Sequence, residues 1–279
     1  MPRAASFRPG DPRAARSFAD VGPESVLLGG AGAAILLQLA DPRVGRGVAV
    51  HSRFSEDPLS RLWATLDYAY AATLGGPRLR AAQVAHVQRA HGPVHGPASA
   101  AYPAYDAHDD DARAWVAMTL AWSGTRAWES VLGPLPVPLR DEVVRGYAPL
   151  ATALGVPASA WFVTRAEFDE TFAVRVEGLR VHDAARGVAH ELLAARRAPL
   201  RLRAAMPAAR LATAALLPAS LRAQYALPYG PVRDRLFRGA VAGLGRVYPL
   251  APAAWRQAPA WWRLGEQAKA LRRAGTTES

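Results

Sequence analysis

Histidine is the scarcest reactive side chain in this sequence of 279 residues. There are seven, and His51, His86, His91 and His95 fall within the first hundred positions. Cysteine is absent, which excludes disulfides, thiolate zinc or iron–sulfur centres and a cysteine nucleophile. Any metal must therefore rest on His, Asp or Glu, or arrive inside a cofactor. His86 and His91 are five apart, so on one helix they point about 140° away from each other. His91 and His95 have a spacing of four, but Gly92-Pro93 interrupts the helix between them. A two-histidine metal site is poorly supported. One histidine near a helix end can still serve as the axial ligand of a haem, whose porphyrin supplies the in-plane donors. The competing reading is a structural helix histidine.

Arg61 and Thr65 are one helical turn apart and share a face. An arginine beside a hydroxyl suits an anion such as a haem propionate, or a polarised oxygen in a pocket. The plainer reading has Arg61 reaching to solvent and Thr65 bonding back to its own helix. The acidic triplet Asp109-Asp110-Asp111 precedes an apolar run and reads as a helix start that complements the dipole, in preference to a metal site. Gly29-Gly30-Ala31-Gly32 reads as close helix packing, because it lacks the Lys-Ser/Thr ending of a phosphate loop. No Gly-x-Ser-x-Gly elbow and no His-Glu-x-x-His pair is present.

The elements that must position these residues are helical. Half of the residues are hydrophobic (51%), enough for a sizeable core. Proline and glycine, 23 of each, divide the chain into helix-length segments, and alternating strand patterns are scarce. The expectation is an all-α, single globin-like domain of about ten helices over 19–265. A disordered N-terminal arm over 1–18 precedes it and a polar C-terminal tail over 266–279 follows. Helices are predicted over 24–39, 59–74, 78–91, 112–132 and 139–154, with another beginning at Thr164, where Glu167 completes a capping box. The stretch 44–54 reads as a loop.

The 34 basic residues include a single lysine, Lys269, so the net charge of +11 is carried by arginine. A Schiff-base lysine is disfavoured, since Lys269 stands in a polar tail. The arginines are dispersed and no nucleic-acid-reading motif accompanies them, so the expectation is a solvated basic surface and no nucleic-acid partner. The N-terminal twenty residues lack the apolar core of a secretory signal, and the apolar run 26–40 is too short to span a bilayer. The chain is expected to be cytoplasmic, with a peripheral membrane contact through its arginine-rich C-terminal half as the alternative.

Several short motifs in order carry a resemblance. They are Gly47-Val-Ala-Val-His51-Ser52-Arg-Phe54, Asp57-Pro58, Arg61-Leu62-Trp-Ala-Thr65 and His91-Gly-Pro-Val94-His-Gly96. Tyr102-Pro-Ala-Tyr105-Asp106, Trp115-Val116 with Thr119-Leu120, Leu154-Gly155-Val156-Pro157, and Leu217-Pro218 with Leu221-Arg222 follow. Together, over roughly 22–263, they resemble the oxygenase family that includes MpaB and the latex-clearing protein, a rubber oxygenase. The resemblance implies a mainly helical, globin-like protein holding haem b and using dioxygen on an apolar, isoprenoid-type substrate. It implies His91 as the haem iron ligand, with His95 and His86 as alternatives, and places Arg61 and Thr65 near the haem as binding and catalytic residues. Two positions depart from the family: Ala117 stands where histidine is frequent, and Ala64 where the rubber oxygenase has lysine. Rubber cleavage itself is not implied. The alternative function is a non-catalytic helical binder of a lipid or terpenoid.

Overall fold

The computed structural model describes residues 10–51, 58–100, 102–196 and 199–277, with the side chains of 58–61, 202 and 274–277 outside the description. The chain is all-α; its strands, among the described residues, are two two-residue segments, β1 (His95–Gly96) and β2 (Tyr105–Asp106), paired antiparallel. Gly10–Ser17, inside the arm expected to be disordered, is tied to the body: Arg13 donates to the Gly245 carbonyl and Arg256 Nη2 to the Gly10 carbonyl.

The helices run α1 (Phe18–Val21), α2 (Ala31–Ala40), α3 (Pro42–His51), α4 (Pro58–Thr73), α5 (Pro77–His91), α6 (Asp110–Leu132), α7 (Val137–Tyr147) and α8 (Pro149–Thr152). Then come α9 (Arg165–Gly178), α10 (Asp183–Ala194), α11 (Leu200–Leu216), α12 (Ala219–Gln224), α13 (Pro231–Val247), α14 (Ala253–Arg256) and α15 (Ala258–Thr277). The predicted helix over 24–39 is divided into a 3₁₀ segment, Ser25–Gly30, and α2.

The loop expected over 44–54 is overturned where it is described, since α3 continues to His51. Asp41-Pro42 ends one helix and starts the next: proline is at home in a first turn, and the Asp41 carboxylate accepts from the Arg43 backbone N–H. The glycines that suggested a loop serve close packing. A Cβ on Gly45 would strike the Leu39 carbonyl oxygen.

Helix α6 is the axle of the fold. It buries Trp115, Ala117, Met118, Ala121, Trp128 and Leu132 around its circumference, as a helix enclosed on all sides must. Trp115 is fully buried, donates from its indole to the Leu37 carbonyl (3.2 Å) and stacks on Phe172 at 5.6 Å. Gly30 lets the 3₁₀ segment rest on the α6 backbone, because a Cβ there would overlap the Ser123 carbonyl, and a Cβ on Gly32 of α2 would overlap the Thr213 side chain of α11. The Gly29–Gly32 run is thus a packing device, as its sequence suggested.

The aspartate triplet is structural. Asp109 caps α6 by accepting from the Ala112 N–H (2.7 Å), and Asp111 pairs with Arg43 and Arg175, which also grip Asp41. Burial alone would raise the Asp41 carboxyl, but Arg43 and Arg175 outweigh it and hold it below the usual carboxylate range. Hydrogen bonds from Arg175 and Arg43 depress Asp111 as well. A second network is deeply buried: Glu24 receives Arg256 (3.0 Å), Gln257 (2.9 Å) and the Tyr248 hydroxyl (2.8 Å), and so joins the start of the domain to its end.

Candidate functional site

Helices α4 and α5 form an antiparallel hairpin closed by the short link Leu74–Gly76, with Leu74 and Gly75 N–H groups bonded to the Tyr70 carbonyl. At 1.5 Å per residue, His91 lies about 21 Å from the start of α5, and Arg61 and Thr65 lie about 18 and 12 Å from the end of α4. His91 and Arg61 are therefore level with one another at the open end of the hairpin, and Thr65 is about one turn deeper. The Arg61 side chain lies outside the described residues; Thr65 is half-buried.

The hairpin is fastened at its sides. Tyr68 donates to the Leu150 carbonyl (2.9 Å) of α8, and Asp67 pairs with Arg263 of α15 and accepts from Gln267 (3.0 Å). Helix α5 buries none of its side chains, although Val84 and Val87 touch the core.

Three of the early histidines are solvent-facing: His51, His86 and His95 are exposed. His91 differs. Its ring is half-buried and its Nδ1 is shut off from solvent. Gly92 continues the turn, and the Val94 N–H donates to the His91 carbonyl (2.8 Å), which turns the chain into the β1–β2 hairpin.

That hairpin pairs the segment just after His91 with Tyr105 and Asp106, and Tyr105 meets α3. His51 Nε2 lies 2.9 Å from the Tyr105 hydroxyl. Gly47 places α3 against the segment that follows His91: a Cβ there would lie 3.4 Å from Tyr105 and Val94, about van der Waals contact. The Arg46 guanidinium lies over the rings of Tyr102 (4.9 Å) and Tyr105 (5.9 Å) and donates to Ser99 (3.3 Å). Its Nε is buried without a hydrogen-bond partner among the described residues. Tyr102 in turn meets the His182 ring at 4.9 Å.

Arg46 had no signal in the sequence beyond its place one residue before Gly47. Its role depends on a helix where a loop was expected. Residues 52–57, including the Ser52–Phe54 and Asp57 motif positions, lie outside the described residues.

Of the two positions that depart from the family pattern, Ala117 is packed into the core and Ala64 is exposed. Among the described residues no three His, Asp or Glu side chains converge to hold a metal ion. Taken singly, a half-buried histidine at a helix end and a guanidinium with a buried, unpartnered Nε–H are residue types that suit a group bringing its own in-plane donors and carboxylates. The residues present are thus compatible with a haem.

The family model for the catalytic domain of the ER-bound oxygenase mpaB/B′ and rubber oxygenase matches residues 19–246. The chain belongs to this family. Among its relatives are the uncharacterised proteins Rv2237 of Mycobacterium tuberculosis and Mb2261 of Mycobacterium bovis. Each is 31% identical to it over 227 residues, 79% of this chain and 89% of theirs. No solved structure matches. The MpaB and rubber-oxygenase match covers α1 to nearly the end of α13, and so includes both the α4–α5 hairpin and the Arg46–Tyr105 corner. The chain is therefore an oxygenase-type catalytic domain by family. Among the described residues, no single helix is long and apolar enough to cross a membrane.

Proposed function

We propose that this chain is a haem b-dependent oxygenase that uses dioxygen on an apolar small molecule, with isoprenoids as the first class to try. The observation that carries the reading is the oxygenase family match over residues 19–246. The sheltered His91 imidazole at the end of α5 supports it. In this reading His91 would hold the iron and tune its potential. Arg61 and Thr65 bind near the macrocycle, and Arg46 offers its unused Nε–H to a carboxylate. Haem, when bound, supplies the redox centre at which dioxygen is used. The protein's own part is to exclude water, fix the carboxylates and orient the substrate.

The test is an absorption spectrum of the haem-supplemented protein. Wild type shows a Soret band that is lost in His91→Ala, while His86→Ala and His95→Ala keep it. Absence of the band from wild type sinks the proposal.

A second reading, a non-catalytic binder of a lipid or terpenoid, is favoured by the apolar core environment of Ala117, where histidine is frequent in the family. Oxygen uptake with an isoprenoid separates the two: the oxygenase consumes dioxygen, the binder does not.

A further inference from the structure

Helix α13 presents apolar side chains on the side where a surface helix should be polar. Val232, Leu236 and Val247 are 63%, 59% and 59% exposed. With Ala240 and Gly243 they fall within a sector of about 80° on the helix circumference. The centre of that sector is about 140° from the inner face, where Phe237 and Val241 are half-buried and Gly245 rests against the Val131 carbonyl. The stripe therefore points away from the core. Exposed Arg233 borders it on one side and exposed Arg235 and Arg246 on the other. Beyond the helix, Leu250 and Trp255 are more exposed still, at 82% and 75%.

We propose that the outer face of α13 is a docking surface for an anionic lipid bilayer, on which the helix lies parallel to the membrane plane. An apolar stripe rimmed by arginine is the signature of an interfacial helix, and tryptophan is enriched at the headgroup boundary. The charge selects the occupant. A second copy would bring arginine rims together, and the acid within the helix, Asp234, lies toward the inner side and is engaged by Arg238 and the Tyr229 hydroxyl. An anionic headgroup layer matches the rims. The inference does not depend on haem.

Flotation of the full-length protein tests it, with vesicles of phosphatidylcholine alone and of phosphatidylcholine mixed with phosphatidylglycerol. Wild type floats with the anionic vesicles, stays behind with the neutral ones, and is partly released by salt because the arginine attraction is screened. Leu236→Glu/Val247→Glu lowers anionic-vesicle binding about tenfold or more, given the cost of a charge in the apolar boundary. Arg235→Gln/Arg246→Gln weakens it less, and both variants keep the wild-type circular dichroism because the replaced side chains are exposed. Equal flotation with both vesicles, no flotation of wild type, or unchanged binding by both variants overturns the proposal. A dimer in sedimentation equilibrium that Leu236→Glu abolishes also overturns it, in favour of self-association.

Discussion

Helix α6 buries twelve of its residues, Trp115 and Trp128 among them, whereas α5 buries none. Both were readable as helices from their punctuation, yet they serve different ends. Helix α6 is held by shape: glycines admit neighbouring backbones, and an aromatic stack of Trp115, Phe172 and Trp122 fills the space between helices. Helix α5 packs against α4 and α15 and ends in a histidine whose Nδ1 is sheltered. A scaffold helix gains stability from every turn it buries, and α5, which buries none of its residues, lacks that gain.

The widest separation between the two is expected in cofactor binding. His91→Ala abolishes the Soret band while shifting the urea midpoint little, since a half-buried side chain contributes little packing. Trp115→Ala does the reverse. It costs about 3–5 kcal/mol in urea unfolding, as for other buried tryptophans replaced by alanine, and a loss below about 1 kcal/mol would show that α6 is not the axle.

Removing Glu24 leaves Arg256 buried without its carboxylate, so Glu24→Ala is expected to cost about 3–5 kcal/mol in the same assay. In α5, Val87→Ala costs about 1 kcal/mol or less, because only part of the side chain leaves water. A cost matching that of the α6 variant would erase the contrast.

The smallest effect is a pH dependence. Asp41 and Asp111 are held below their ordinary values by Arg43 and Arg175. Their stabilisation is therefore present above the unfolded carboxylate value, about 4, and is lost as pH falls through the lower folded values. Thermal melts across that acid range show the loss, and Arg175→Gln makes the profile shallower.

Much of the core region was legible. The helix over 112–132, its acidic start and the capping Thr164, which accepts from the Glu167 N–H at 3.3 Å, follow from local chemistry that needs few distant partners. The site was legible only in part. His91 could be selected as a helix-end histidine, but Arg46, Tyr102, Tyr105 and His182 meet through contacts between segments far apart in the chain. Glycine suggested a loop at 44–51, but Gly45 lies within α3, where the Leu39 carbonyl leaves no room for a Cβ.

Sequence alone determined the helical class, the exclusion of thiolate chemistry and the family whose motifs run from Gly47 to Arg222. Those properties depend on composition, punctuation and order along the chain. The tertiary structure decided what each arginine is for. The +11 charge read as a dispersed, solvated surface. In the fold, Arg256 is buried on Glu24, Arg43 and Arg175 share Asp41 and Asp111, and Arg46 lies over two tyrosines. Arg233 and Arg235 remain at the surface beside an apolar stripe. A guanidinium has the same charge in every one of these places. Its neighbours decide whether it supports the core, serves the site or faces outward, and only folding brings those neighbours together.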